Sequence, residues 1–343
     1  PQYRAVALVD FVGVVAKVKR STIVSIARDV EMVCIICDAD GNVVDSATSY
    51  AGLRSVSIDG KAIKINGEVV FQRLVLDQGY YPDGIMTAPS EEALINDIKL
   101  SMDAGFNGAR LHQKVFEERF LYHADRMGYI VWGEFGDWGC RQKTLAPEIH
   151  QQPPANYITE WLEVLERDYS HPAIVGWCPL NETWQLLHDD ITVLDEVTHG
   201  MYLATKAMDT TRPVLDTSGY SHRVVGADVY DSHDYTQDPA QFAENMAGLD
   251  ENDPYLNDRD GQPFSIPYAG QPYFCSEFGG IRWNPEAVQS RDSWGYGEEP
   301  KSLDEFYDRF EKLCGILLDD VNMFGYCYTQ LTDVYQEHNG IYK

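Results

Sequence analysis

Long hydrophobic runs are missing from this chain. No stretch approaches the roughly 18 consecutive apolar residues that a membrane-spanning helix requires. The opening PQYRAVALVDFVG has neither the basic n-region nor the cleavage site of a secretory leader. A chain that begins at Pro1 could still follow a removed leader or an upstream domain. Positive charge is scarce as well: 27 Lys and Arg stand against 54 Asp and Glu, a formal net charge of −27. Such a surface repels phosphate backbones and anionic bilayers, so neither nucleic acid nor membrane is an expected partner, whereas a neutral ligand fits. Cysteine is sparse: the seven residues, at 34, 37, 140, 178, 275, 314 and 327, are an odd number set inside apolar runs such as GWCPL and GYCYT. They read as small buried hydrophobes and favour a reducing, cytoplasmic compartment. Cys34 and Cys37 form a CxxC, but residues three apart in a strand face opposite sides and no second pair follows, so no zinc or redox centre is expected. No His belongs to an HxH or HExxH, and no strand is followed by a Gly-rich phosphate loop. Neither a metal nor a cofactor is expected.

What is present divides near residue 58. Residues 1–58 are rich in Val and Ile, are broken by the turn signal Asp40-Gly41-Asn42 and show no helical period, as in part of a β-sandwich. From 59 to 343 short apolar runs alternate with amphipathic helices, the pattern of βα units on a parallel sheet. VVFQRLVL, FNGARL, YIVWGE, AIVGWCPLN, RPVLDT, ADVYDSH, QPYFCSE and MFGYCYTQ supply the strands of a (β/α)8 TIM barrel, an α/β fold. Between the first two, Ser90 is placed to cap a helix with Leu94, Ile95, Ile98 and Met102 on one face, stopped by Gly105. A second helix carries Phe116, Phe120, Leu121, Ala124 and Met127 up to Gly128. A third carries Ile158, Trp161, Leu162 and Leu165, and Ser302 to Glu305 is a capping box before the last strand.

A barrel of this kind works at the carboxyl ends of its strands. Here those ends are polar: Asp77, Arg110 with His112, Glu134, Asn181 with Glu182, His233 with Tyr235, Glu277, and Tyr328 with Gln330. Any one of them could be a strand residue entering solvent. The fourth and seventh strands, however, face each other across the mouth, and each ends in a glutamate. A pair of facing carboxylates can break an acetal: one protonates the leaving oxygen and the other attacks or shields the anomeric carbon, with retention at about 5 to 5.5 Å and inversion at about 6.5 to 9.5 Å. Arg110 could bond Glu277 and hold it ionised, while Glu182, in a more apolar setting, would keep its proton. Trp132, Trp138, Trp177, Trp184, Tyr235, Trp283, Trp294 and Tyr328 lie at the same ends, and aromatic planes suit the C–H faces of a sugar.

Four stretches, HPAIVGWCPLNETW, GFNGARLHQKVFEERFLYHADRMGYIVWGE, QPYFCSEFGG and GYCYTQLTDVYQEHNGIY, resemble the catalytic barrel of glycoside hydrolase family 2, home of β-galactosidases, β-glucuronidases and β-mannosidases. The resemblance runs from about residue 50 to the end. It implies a retaining mechanism with Glu182 as acid/base and Glu277 as nucleophile, and places Arg110, His112, Asn181 and Tyr235 around the sugar. Asp77, Trp132, Glu134, His233 and Trp283 become further lining positions, and Tyr328 stands where the clan often has a tryptophan platform. It also implies that residues 1–58 are a partial immunoglobulin-like β-sandwich segment and that the chain is a fragment lacking a sugar-binding domain. Glucuronidase-type members carry an Asn-x-Lys pair absent from RWNPEAVQSRDSWGYGEEPKS, so the expected substrate is a neutral glycoside, β-galactoside first, with β-mannoside and β-glucuronide as alternatives. A barrel that only binds carbohydrate is the rival reading, and a homo-oligomer is left open.

Overall fold

The computed structural model describes residues 17–20, 28–137, 156–187, 193–285 and 293–343. Its centre is a parallel sheet in the spatial order Ile174–Cys178, Ile130–Glu134, Gly108–Leu111, Gln72–Asp77, Met323–Thr329, Tyr273–Gly279 and Tyr230–Asp234. The two edges meet through residues 213–218, where Val214 bridges Trp177 and Leu215 bridges Val229, both parallel. The ring is therefore TIM-barrel-like, with RPVLDT contributing single bridges instead of a ladder. Pro213 has no N–H to donate, and Asp216 turns the chain by accepting the backbone N–H groups of Thr217, Arg223 and Val224.

The helices begin and end for local reasons. Ser90 accepts from Ala93 N ahead of helix Glu91–Asp103, and Gly105, at φ +94°, follows its end. Leu94 and Ile98 are buried, but Met102, one turn on along the same face, is exposed. Helix Glu118–Met127 stops at Gly128, which is left-handed and donates to Ala124 O. Helix Tyr157–Asp168 buries Trp161, whose Nε1 donates to Thr205 in helix Val193–Met208. Ser302 caps helix Leu303–Leu318 through Glu305 N, while the Glu305 carboxylate takes Lys301 N, one residue before the cap.

Inside the ring the packing is tight. A Cβ on Gly176 would lie 2.6 Å from the Trp132 ring, and one on Gly133 would lie 2.5 Å from the Trp177 ring, so each indole fills the space a side chain on the neighbouring strand would need. Trp132 also packs on Phe274 and Phe324 and donates to Gln72 Oε1 at 2.7 Å. One continuous core runs from Ile63 to Leu331.

Before the barrel, Lys17–Arg20, Arg28–Cys37 and Val43–Leu53 form one antiparallel sheet, with the expected turn at Asp38 to Asn42 between the last two. A sandwich needs a second sheet packed on the first, which the described residues of this stretch do not supply, so the immunoglobulin-like assignment is not carried by the structure. Val56–Asp59 pairs with Ala62–Ile65 in a hairpin whose Ile63 and Ile65 join the barrel core.

Candidate active site

Glu182 leaves the fourth barrel strand in a left-handed conformation, φ +48°, with its N–H bonded to Ser218 O at 3.0 Å. Glu277 sits within the seventh, buried. One oxygen from each carboxylate and a ring nitrogen of His233 all lie within 4.8 Å of one another. His233 Nδ1 is 2.9 Å from Glu182 Oε1 and 3.4 Å from Glu277 Oε2. Tyr235 donates its hydroxyl to Glu277 Oε2 at 2.5 Å, and Arg110 donates to Glu277 Oε1. Arg110 also reaches Glu134 Oε2 at 3.4 Å and Asn181 Oδ1 at 3.3 Å, and His112 Nδ1 lies 3.0 Å from Glu134 Oε1. Asn181 is fully buried, with its Nδ2 lacking any protein acceptor.

The electrostatics follow from this geometry. Burial works against the Arg110 cation, but the charges of Glu134 and Glu277 overcome it and hold its pKa well above the ordinary value. Burial pushes Glu134 up, and Arg110 and His112 bring it down further than that. Glu182 does not have the apolar setting expected of it. Burial raises its pKa, but the hydrogen bond and charge of His233, with His112 and Arg110 behind them, hold the carboxyl below its ordinary value. His233 moves the opposite way: burial lowers it, and Glu277 and Glu182 raise it more. Glu182, His233 and Glu277 are close enough to hold a cation between them. Both Glu277 oxygens, however, already accept bonds, from Arg110 and from Tyr235.

Arg110, His112, Glu134, Asn181, Glu182, His233, Tyr235 and Glu277 are thus brought together, whereas four other sequence-derived positions are not. Asp77 turns into its own loop, accepting Gly79 N at 2.8 Å beside Asp97 and Lys114. Trp132 shares the inner face with Glu134 but lies two residues, about 6.6 Å, deeper along the strand, in the core. Trp283 is half-buried over Phe306 of the last helix. Tyr328 is fully buried between the sheet and that helix, against Phe278 and Phe310. Alternation gives the mouth to its neighbour, Thr329, whose Oγ1 is 3.1 Å from Tyr235 OH. Trp177 is buried and donates to Asp209, and Trp138 lies outside the described residues.

Sequence reasoning missed Tyr296, stacked on Tyr235 with centroids 3.5 Å apart, and Tyr220, edge-on to His233 at 5.5 Å. Both are half-buried and feel the charges of Glu182 and Glu277. It also missed Ser218, Asp231 and Ser276, which are buried beneath the carboxylates. Asp231 had a signal: it lies two residues before His233 in the strand Tyr230–Asp234, on the alternation that His233 follows.

A model of the family described as glycosyl hydrolases family 2, TIM barrel domain, matches residues 83–266, more than half of the chain. The chain belongs to glycoside hydrolase family 2. Among curated relatives, it is 29% identical over 199 residues to a β-galactosidase of Psychromonas ingrahamii, covering 55% of this chain and 17% of that protein. A β-galactosidase of Vibrio cholerae is 26% identical over 189 residues, covering 54% and 18%. The chain thus spans under a fifth of the length of these relatives. Among solved structures, a β-glucuronidase from Ruminococcus gnavus aligns with TM-score 0.68 at 16% identity, over 94% of this chain and 54% of that one. A family 2 β-galacturonidase from Eisenbergiella tayi, bound to galacturonate, aligns with TM-score 0.64 at 18% identity, over 88% and 51%. These likenesses are of fold.

Proposed function

We propose that this barrel hydrolyses terminal β-glycosides of neutral sugars, β-galactosides first, with retention of configuration. The observation that carries the reading is that an oxygen of Glu182 and one of Glu277 lie within 4.8 Å of each other across the mouth, which favours a retaining pair over the roughly 6.5 Å or more of pairs that leave room for a water. A Glu277 oxygen attacks the anomeric carbon, the bond to the aglycone oxygen breaks, and Glu182 protonates that oxygen as it leaves. Glu182 then takes a proton from the incoming water, which releases the sugar and restores the Glu277 carboxylate. Arg110 and Tyr235 orient the two nucleophile oxygens, and the free Asn181 N–H is available to a sugar hydroxyl whose bond strengthens as charge develops. Tyr220 and Tyr296 offer the aromatic faces.

Preference for a neutral sugar is supported by the acidic composition and by the lack of an Asn-x-Lys in the loop after Glu277. The β-galactosidase names of the curated relatives point the same way. Uronide hydrolysis is the second reading, favoured by the solved structures of similar fold. A panel of p-nitrophenyl β-glycosides, read with proton NMR of the first sugar anomer formed, tests both. β-Galactoside turnover giving the β-anomer, and surviving EDTA, is expected. Turnover of uronides alone would shift the substrate, an α-anomer would overturn the mechanism, and silence on every sugar by a folded protein would leave a binding barrel.

A further inference from the structure

Ser218 Oγ is a junction beneath the two glutamates. It lies 2.9 Å from Asp231 Oδ2 and 2.9 Å from His233 Nε2, and it accepts from Arg110. Ser276 Oγ is 3.2 Å away and donates to the same Asp231 oxygen. A hydroxyl has one hydrogen and two lone pairs, and a guanidinium can only donate. Asp231 can only accept. Its Oδ1 takes Gly219 N and His222 Nε2, each at 3.0 Å, and His222 is itself clamped by Asp216 at 2.7 Å. Burial pushes the Asp231 carboxyl up, but the His222 hydrogen bond and charge hold it below its ordinary value, so it is a carboxylate. The Ser218 hydrogen therefore goes to Asp231, and its lone pairs take Arg110 and an N–H on His233 Nε2.

With Nε2 protonated, His233 Nδ1 faces Glu182 Oε1 at 2.9 Å in one of two ways. A neutral ring accepts from a protonated Glu182, or an imidazolium donates to the carboxylate. Both put one transferable proton between the two groups. The opposite tautomer, Nδ1–H with bare Nε2, would let a neutral ring satisfy an ionised Glu182 with no proton to spare.

We infer that Asp231, acting through Ser218, is a positioning residue that fixes the His233 tautomer and so keeps the Glu182–His233 pair supplied with the proton for the departing aglycone. This logic rests on the acid/base role proposed for Glu182. Among the described residues, the other charged or titratable groups facing His233 are Glu277 from the seventh strand, Arg110 from the second and Tyr220 across its ring edge. All are kept in the variants below.

The test uses Asp231→Asn and Ser218→Ala, with Ser218→Thr as the hydroxyl-retaining control. Nitrogen-15 NMR of the His233 ring reads the tautomer without substrate, so this half stands or falls independently of the glycosidase reading. Nε2–H is expected in the parent and in Ser218→Thr, and Nδ1–H character is expected in Asp231→Asn. On p-nitrophenyl β-galactoside, the alkaline limb of kcat/KM should move acidward by about one pH unit in Asp231→Asn and Ser218→Ala. Aryl galactosides with poor leaving groups should lose roughly 10² in kcat, and 2,4-dinitrophenyl galactoside should be nearly unaffected. An Nδ1–H ring in the parent would overturn the inference, as would variants that lose rate equally on good and poor leaving groups with the limb unmoved. Should the parent show Nε2–H yet cleave no glycoside, the glycosidase reading fails while the tautomer assignment stands.

Discussion

Buried and half-buried carboxylates gather in two parts of the barrel, and the two groups are held in opposite ways. Glu134, Glu182 and Glu277 share Arg110, His112 and His233, and both Glu134 and Glu182 stay below their ordinary pKa despite burial. Near the first strand, burial and the neighbouring Asp97 push Asp77 up to about 7, and burial pushes Asp97 up to about 6 even though Tyr81 donates to it. The cation there is Lys114, whose own pKa burial lowers and whose ammonium is engaged by Gly79 O and lies over the Phe116 ring. The positive groups facing each carboxylate, Arg110 with two histidines against Lys114, separate the two groups, rather than the depth of burial.

The largest effect should come from breaking the well-supplied group at Glu277, the nucleophile proposed above. Glu277→Gln should lower turnover roughly 10⁴-fold or more on any glycoside that the parent cleaves. Azide should give the α-glycosyl azide with Glu277→Ala and the β-azide with Glu182→Ala, and identical anomers from both would contradict the assigned roles.

Removing the shared cation should cost stability next. Arg110→Met leaves Glu134 and Glu277 buried without their guanidinium, a loss of about 3–5 kcal/mol in urea unfolding at pH 7. A loss under about 1 kcal/mol would mean that the carboxylates do not depend on it.

The poorly supplied group should respond in the other direction. A carboxyl whose folded pKa lies above its unfolded one binds its proton more tightly when folded, so its contribution falls as pH rises from 3.8 through about 7. Asp77→Asn keeps the acceptor for Gly79 N and removes that penalty. It should stabilise the protein by about 1–2 kcal/mol at pH 8 and by almost nothing at pH 3, measured as the shift in urea midpoint. The smallest effect belongs to an exposed pair: Lys312→Ala, which breaks the contact with Asp308, should change stability by less than about 0.5 kcal/mol.

The ring and most of its polar rim were legible in the sequence because each apolar run stops where its strand meets the mouth. Glu134, Glu182, Glu277 and Arg110 could be found from those stops alone. The errors were of parity and depth. Tyr328 and Thr329 are neighbours, and only pairing with the adjacent strands decides which faces inward. Trp132 has the right face but lies one layer down, which no run length reveals. Ser218 and Asp231 carry residue types common in any turn or strand, and their part emerges only when Arg110 and His233 arrive from distant strands. The fifth strand was expected as a ladder, but Pro213 and the turn around Asp216 reduce it to bridges.

One backbone angle bears on protein engineering. Glutamate in the left-handed region, as at position 182, carries a conformational penalty that glycine escapes. A glycine there would therefore offset part of the loss of the His233 contact by relaxing the chain. Selection for heat resistance alone would thus count the loss of Glu182 at less than its contacts suggest and could discard the proposed proton donor, so thermal screens of this barrel need a catalytic readout beside them.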